Sequence, residues 1–182
     1  VSRYVPDKDL DYQSQAAIDE LELGDMTQPD VFFKGNRSLV GIEIKLDAKS
    51  NVEQILKYAT LFYFSKKNHK TICDCHLILI GKCTFFNFFE EKFESIKELK
   101  NQLLIDHIPD VSRKGGIDLK PHKEGILNLA KSMSTEYHTY SDLNEIFMAY
   151  EERIDKQNAY SQTLIKLFAG IKNELANREL VK

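Results

Sequence analysis

Glycine and proline are scarce in this chain, 8 and 4 in 182 residues, and 42% of the residues are hydrophobic. That balance excludes a mainly disordered polymer and leaves room for one substantial core. Cysteine is scarcer still. Cys73, Cys75 and Cys83 are an odd number with no repeated pair spacing, and Cys73-Asp74-Cys75 is tighter than a usual zinc pair. Burial in or beside a strand is the expectation for them, although His69 or His76 could complete a four-ligand site. No secretory apolar segment and no apolar run of membrane length is present, so the expectation is a cytoplasmic, reducing environment without membrane association. Positive charge is not in excess: 25 Lys and Arg face 28 Asp and Glu, for a net charge of -3. A non-specific basic nucleic-acid binder is excluded, while a locally basic groove is not.

What is present is concentrated between Gln28 and Tyr58. Pro29 to Phe33 reads as a short strand, Lys34 to Ser38 contains Gly-Asn and reads as a turn, and Leu39 to Lys45 reads as the next strand. Period-two alternation puts Gly41, Glu43 and Lys45 on one face and Val40, Ile42 and Ile44 on the other. Paired as a hairpin, the strands bring Asp30 toward Glu43. Two carboxylates and an ammonium inside an apolar sheet need compensation, and a divalent cation with a water would supply it. Both carboxylates offer hard oxygen ligands for Mg²⁺, with Mn²⁺ as the substitute. Lys45 is placed to orient an attacking water or to stabilise developing charge. The constellation describes hydrolysis of a phosphodiester.

Pro29-Asp30 followed by Glu43-Ile44-Lys45 resembles the PD-(D/E)XK nuclease superfamily, which includes restriction, repair and recombination nucleases. The resemblance implies a restriction-endonuclease-like fold, metal-binding carboxylates at Asp30 and Glu43, a catalytic lysine at Lys45, and the carbonyl of Ile44 as a further metal ligand. Gln54 and Tyr58 resemble the Gln-x-x-x-Tyr element of one branch, where these residues help place the substrate or the lysine. Family members also direct a glutamate from their first helix toward the metal; Glu20 is the preferred match, with Glu22 and Asp19 as local alternatives. The match covers about a third of the chain.

The residues after Lys45 support the same context. Val52, Ile55, Leu56, Ala59, Phe62 and Tyr63 repeat at helical spacing behind a Ser50 or Asn51 cap, and Gln54 and Tyr58 lie one turn apart on the flank of that stripe. Packing of Tyr58 and solvation of Gln54 is the plainer alternative. Tyr12 to Leu23 reads as an upstream helix. His76 to Ile80 alternates too little for an exposed strand and reads as a central one. Phe85, Phe86, Phe88 and Phe89 form an aromatic patch best assigned to the core, with base stacking open to any that are exposed. Phe93, Ile96, Leu99 and Leu103 suggest another amphipathic helix.

From about His107 the signal weakens. Arg113-Lys114-Gly115-Gly116 reads as a solvated loop that could also lie near phosphate. Helices are expected over Gly125 to Met133, Ser141 to Tyr150 and a long segment toward Leu180, whose stripe of Tyr160, Leu164, Leu167, Phe168, Ile171 and Leu175 would pack on the core or meet a partner. The expected architecture is an α/β fold: a central mixed sheet flanked by helices over residues 1–106, and a mainly helical extension over 107–182 packed on the same domain. Opening on Val1 suits a chain processed or excised from a longer one.

The functional expectation is a Mg²⁺-dependent deoxyribonuclease, endonucleolytic and weakly sequence-selective, serving restriction, mobile-element defence or DNA processing. Lys34, Arg37, Lys45, Lys49 and Lys57 would surround the site and offset its field against DNA. The competing expectation is a non-catalytic module of the same fold for nucleic-acid binding or assembly, with a protein partner or a second copy docked on the C-terminal helices.

Overall fold

Leu39-Val40-Gly41-Ile42-Glu43-Ile44-Lys45 combines β-branched residues with strict alternation, and in the computed structural model it forms the middle strand of the sheet. The structure describes residues 10–14, 18–19, 21, 23, 28–112, 116–153, 159–178 and 180. Among these, the strands are β1 (Asp11–Tyr12), β2 (Val31–Lys34), β3 (Ser38–Lys45), β4 (Asp74–Gly81) and β5 (Ser134–Thr139), in spatial order β1-β2-β3-β4-β5. The first three pair antiparallel, and β3, β4 and β5 are parallel. The hairpin register sets Val31 opposite Ile42 and Phe33 opposite Val40.

Parallel strands require crossovers, and helices supply them. α1 (Val52–Asn68) joins β3 to β4. α2 (Phe85–Phe88), α3 (Ile96–Gln102) and α4 (Lys123–Ser132) lie between β4 and β5. α5 (Tyr140–Arg153) and α6 (Ala159–Asn177) follow the last strand. The result is an α/β architecture, a mixed sheet with helices on its faces.

Alternation divides the core in two. Phe32, Leu39, Leu77 and Leu79 point to the face covered by α1 and join Ile55, Leu56, Tyr58 and Phe62 in the main cluster. Phe32 stacks on Phe62 at 5.9 Å between ring centroids. Ile42, Ile78 and Ile80 point the other way, into a smaller cluster with Tyr140, Leu143, Ile171, Leu175 and Leu180. The charged positions therefore do not stand on the uncovered side of the sheet: Glu43 shares its face with Leu39 and lies beneath α1, while the aliphatic face of β3 meets the C-terminal helices.

Several local expectations are corrected. Tyr12 belongs to a strand, paired with Phe33, and not to a helix starting there; only Ile18 and Asp19 are described as helical in that stretch. β5 was not anticipated, because Ser-Thr-Glu-Tyr-His-Thr has no apolar run. It is held instead by pairing along β4 and by Tyr137, whose ring meets Phe85 and Phe88. Phe93 lies ahead of α3 rather than in it. Of the cysteines only Cys75 is buried, which pushes its thiol up to about 11; Cys73 and Cys83 are exposed. Arg113, Lys114 and Gly115 lie outside the described residues, as do the side chains of Tyr160, Leu164 and Leu167.

Candidate functional site

The site is assembled where β3 emerges from beneath the start of α1. Asn51 Oδ1 accepts from the Gln54 backbone N–H at 3.1 Å and fixes the first turn of that helix. Gln54 then projects from the first turn and Tyr58 from the next, both toward β3. Gly41 makes the approach of Tyr58 feasible: a Cβ at that position would lie 2.6 and 2.7 Å from two atoms of the phenol ring. The Tyr58 hydroxyl sits 2.7 Å from the Ile42 carbonyl oxygen and 2.9 Å from Glu43 Oε2, so its single proton is shared between two acceptors.

Glu43 is only 2% exposed. A carboxylate so buried requires compensating partners. Oε2 accepts from Gln54 Nε2 at 3.0 Å and from Tyr58, and Oε1 pairs with Lys45 Nζ at 2.5 Å. Lys45 itself remains 27% exposed and carries the cluster to the surface. Burial first, then the charges of Glu43 and Asp30, push the Tyr58 hydroxyl far up, which keeps it protonated as a donor.

Asp30 occupies the position before β2 begins. Pairing of β2 with β3 ends at Val31 and Ile42, which leaves the Ile44 N–H without a strand partner on that side. Asp30 Oδ2 accepts it at 2.6 Å. A strand residue presents its N–H and C=O to the same side, so the Ile44 carbonyl faces the edge that Asp30 occupies. Asp30, Glu43 and the Ile44 carbonyl are thus hard oxygen donors near the end of β3. Among the described residues no three His, Cys, Asp or Glu side chains gather as a metal cluster; the side-chain donors here number two. Two carboxylates and a carbonyl suit Mg²⁺, which keeps several of its waters. Glu20, the expected third carboxylate, lies outside the described residues, and Asp19 is exposed.

Two residues missed in the sequence, Tyr140 and Lys82, stand beside this cluster, together with the expected Lys49. Tyr140, the first residue of α5, donates its hydroxyl to the Lys45 carbonyl at 3.4 Å. Burial, and then the charges of Asp30 and Asp47, push that phenol up as well. Lys49 and Lys82 join Lys45 around a cavity of about 310 Å³ at the carboxyl ends of β3 and β4. Only recognition of β5 would have pointed to Tyr140, since the carboxyl ends of parallel strands are where open α/β sheets place ligands. Conversely, two of the expected basic residues lie elsewhere. Lys34 Nζ is 2.9 Å from His69 Nε2 and Arg37 contacts Cys73, both at the opposite end of β3. The hairpin turn separates them from Lys45 by the length of the strand. A larger cavity of about 620 Å³ lies between α1 and α4, lined by Tyr63, Lys66 and His122, and is remote from this chemistry.

Comparison with known proteins found no matching family model, no matching curated protein and no matching solved structure.

Proposed function

We propose that the chain hydrolyses phosphodiester bonds of DNA as a PD-(D/E)XK-type nuclease with a restriction-endonuclease-like core. What supports this reading is one observation: at the end of β3 Glu43 pairs with Lys45, Gln54 and Tyr58 both bond the same Glu43 oxygen, and Asp30 accepts from the N–H of Ile44, the residue between Glu43 and Lys45. Mg²⁺ or Mn²⁺, held by Asp30, Glu43 and the Ile44 carbonyl, would polarise the scissile phosphate and acidify an attacking water. Glu43 holds the Lys45 ammonium at the mouth of the cluster, where it would face the attacking water and the charge that develops on the phosphoryl oxygens. Gln54 and Tyr58 fix the Glu43 carboxylate by donating to Oε2, which leaves Oε1 to set the position of Lys45. Asp30 is fixed by a main-chain donor, so neither carboxylate has to be recruited for the reaction.

In this reading the chemistry is carried by residues within 1–106, while 107–182 completes the same domain by adding β5 to the sheet and the C-terminal helices to its face; cleavage is internal and weakly sequence-selective, and the context is restriction, mobile-element defence or DNA processing in the cytoplasm. No described helix is long and apolar enough to cross a membrane. The test is incubation of the protein with plasmid, linear duplex, single-stranded DNA and RNA, in Mg²⁺, in Mn²⁺ and in chelator. Metal-dependent nicking of circular DNA is the expected result; degradation confined to free ends replaces the internal mode with an end-directed one.

One observation favours a second reading, a non-catalytic module for nucleic-acid binding or assembly. Both Glu43 oxygens are already satisfied by protein donors, so the buried charge is balanced without a cation. Calorimetric titration with Mg²⁺ and Mn²⁺ separates the two readings. Heat of binding that disappears in Asp30→Ala supports the nuclease, and partner or DNA binding without metal uptake or cleavage supports the module.

A further inference from the structure

Lys45 has two neighbours that the hydrolytic cluster does not use. The cavity at the carboxyl ends of β3 and β4 is lined by Lys45, Lys49 and Lys82, with Asp47 as the carboxylate, Asn87 as a neutral amide and Phe88 as an apolar wall. Three ammonium groups against one carboxylate make it a positive pocket in a chain of net charge -3. Lys45 is engaged by Glu43, but Lys49 and Lys82 are exposed and have no ion-pair partner among the described residues. Two unpaired cations facing one cavity gain from an anion there.

The cavity is too large for a carboxylate alone and has room for a phosphate with its sugar. Because Lys45 belongs to both the cavity and the Glu43 cluster, an anion seated between Lys49 and Lys82 is the direct neighbour of the group being cut. We propose that this pocket binds the phosphate flanking the scissile one on the same polynucleotide strand, with Lys49 and Lys82 as its cations. The proposal rests on the nuclease reading for the identity of the strand, and not for the pocket itself. It gives an acidic protein a local phosphate anchor, which would set the register of the backbone and carry no base specificity.

The experiment measures binding of a labelled oligonucleotide duplex and its single strand in chelator, so that nothing is cut, over a series of salt concentrations. Lys49→Ala/Lys82→Ala is compared with wild type and with Lys49→Arg/Lys82→Arg. Both positions are exposed, so the variants should fold. The double alanine variant is expected to bind about tenfold more weakly and to lose about one unit of salt slope per lysine removed, while the double arginine variant keeps both. Unchanged affinity and slope in the double alanine variant overturn the pocket even if Mg²⁺-dependent cleavage is intact. Lysine-dependent binding with no cleavage in Mg²⁺ or Mn²⁺ upholds the pocket and removes the nuclease reading. Competition by inorganic phosphate or a mononucleotide as strong as that by the oligonucleotide overturns the strand assignment in favour of a free phosphate ligand.

Discussion

Tyr58 stands between two acceptors with one proton, and its burial keeps that proton in place throughout the working pH range. Tyr58→Phe removes the donor but leaves Glu43 Oε2 its bond from Gln54. Thermal or urea unfolding should show a loss of about 1.5–3 kcal/mol, the usual value of a hydrogen bond to a charged group, and cleavage should fall less than in Lys45→Ala. Gly41 is the more sensitive position. A methyl group there meets the Tyr58 ring at 2.6 Å and Phe62 at 3.0 Å, and the ring cannot retreat without giving up Glu43. Gly41→Ala should therefore destabilise by about 1–3 kcal/mol through overpacking and also reduce cleavage. A Gly41→Ala protein with wild-type stability and activity would contradict the placement of Tyr58 over this strand. At this scale the sequence was informative: alternation alone aligned Glu43 with Lys45, and helical spacing put Gln54 and Tyr58 one turn apart. It did not show that Gly41 makes room for Tyr58, because that depends on how closely α1 approaches β3.

At the scale of elements, β4 places His76 partly buried between its neighbours, and burial lowers its affinity for a proton despite the raising effect of Asp74 and Glu136. The folded value is thus below the unfolded one. The unfolded chain takes up the proton first as pH falls, so this stability is fully present above the ordinary histidine value of about 6.5 and is lost as pH drops through the lower folded value. Unfolding midpoints between pH 7.5 and 5.5 should decline in wild type and decline less in His76→Gln; parallel profiles would show that His76 is not the group responsible. The elements most legible in the sequence were those with strong apolar patterning, namely the β2-β3 hairpin, α1 and β4. β5 was illegible for a physical reason. Its polar residues read as loop locally, and the strand exists because β4 offers it an edge and Tyr137 reaches the Phe85–Phe88 segment. Missing β5 also hid Tyr140, which the end of that strand delivers to Lys45.

Across the whole molecule, the two faces of the sheet carry different tasks. α1 covers the face bearing Glu43, and the C-terminal helices cover the other through a small cluster in which Leu175 is 8% exposed. Tyr140 belongs to that cluster and also touches Lys45. Leu175→Ala should cost about 2–3 kcal/mol, toward the lower end for a buried leucine because the cluster is small. If the C-terminal helices and the sheet form one cooperative unit, unfolding of wild type is a single transition and the variant shifts all of it. Two separated transitions, with only one displaced, would show that the helices are a distinct unit.

In the proposed function Asp30, Glu43 and Lys45 act as one phosphodiester-cleaving centre. Single-turnover cleavage of supercoiled DNA in Mn²⁺ and in Mg²⁺, with wild type and Lys45→Ala purified side by side, decides whether they do. The expected result is metal-dependent cutting by wild type, abolished by chelator and reduced at least a hundredfold in Lys45→Ala, on the order of the loss of one electrostatic transition-state contact, with metal binding by the variant retained. Equal cutting by both proteins, or none by wild type in either metal, would contradict it.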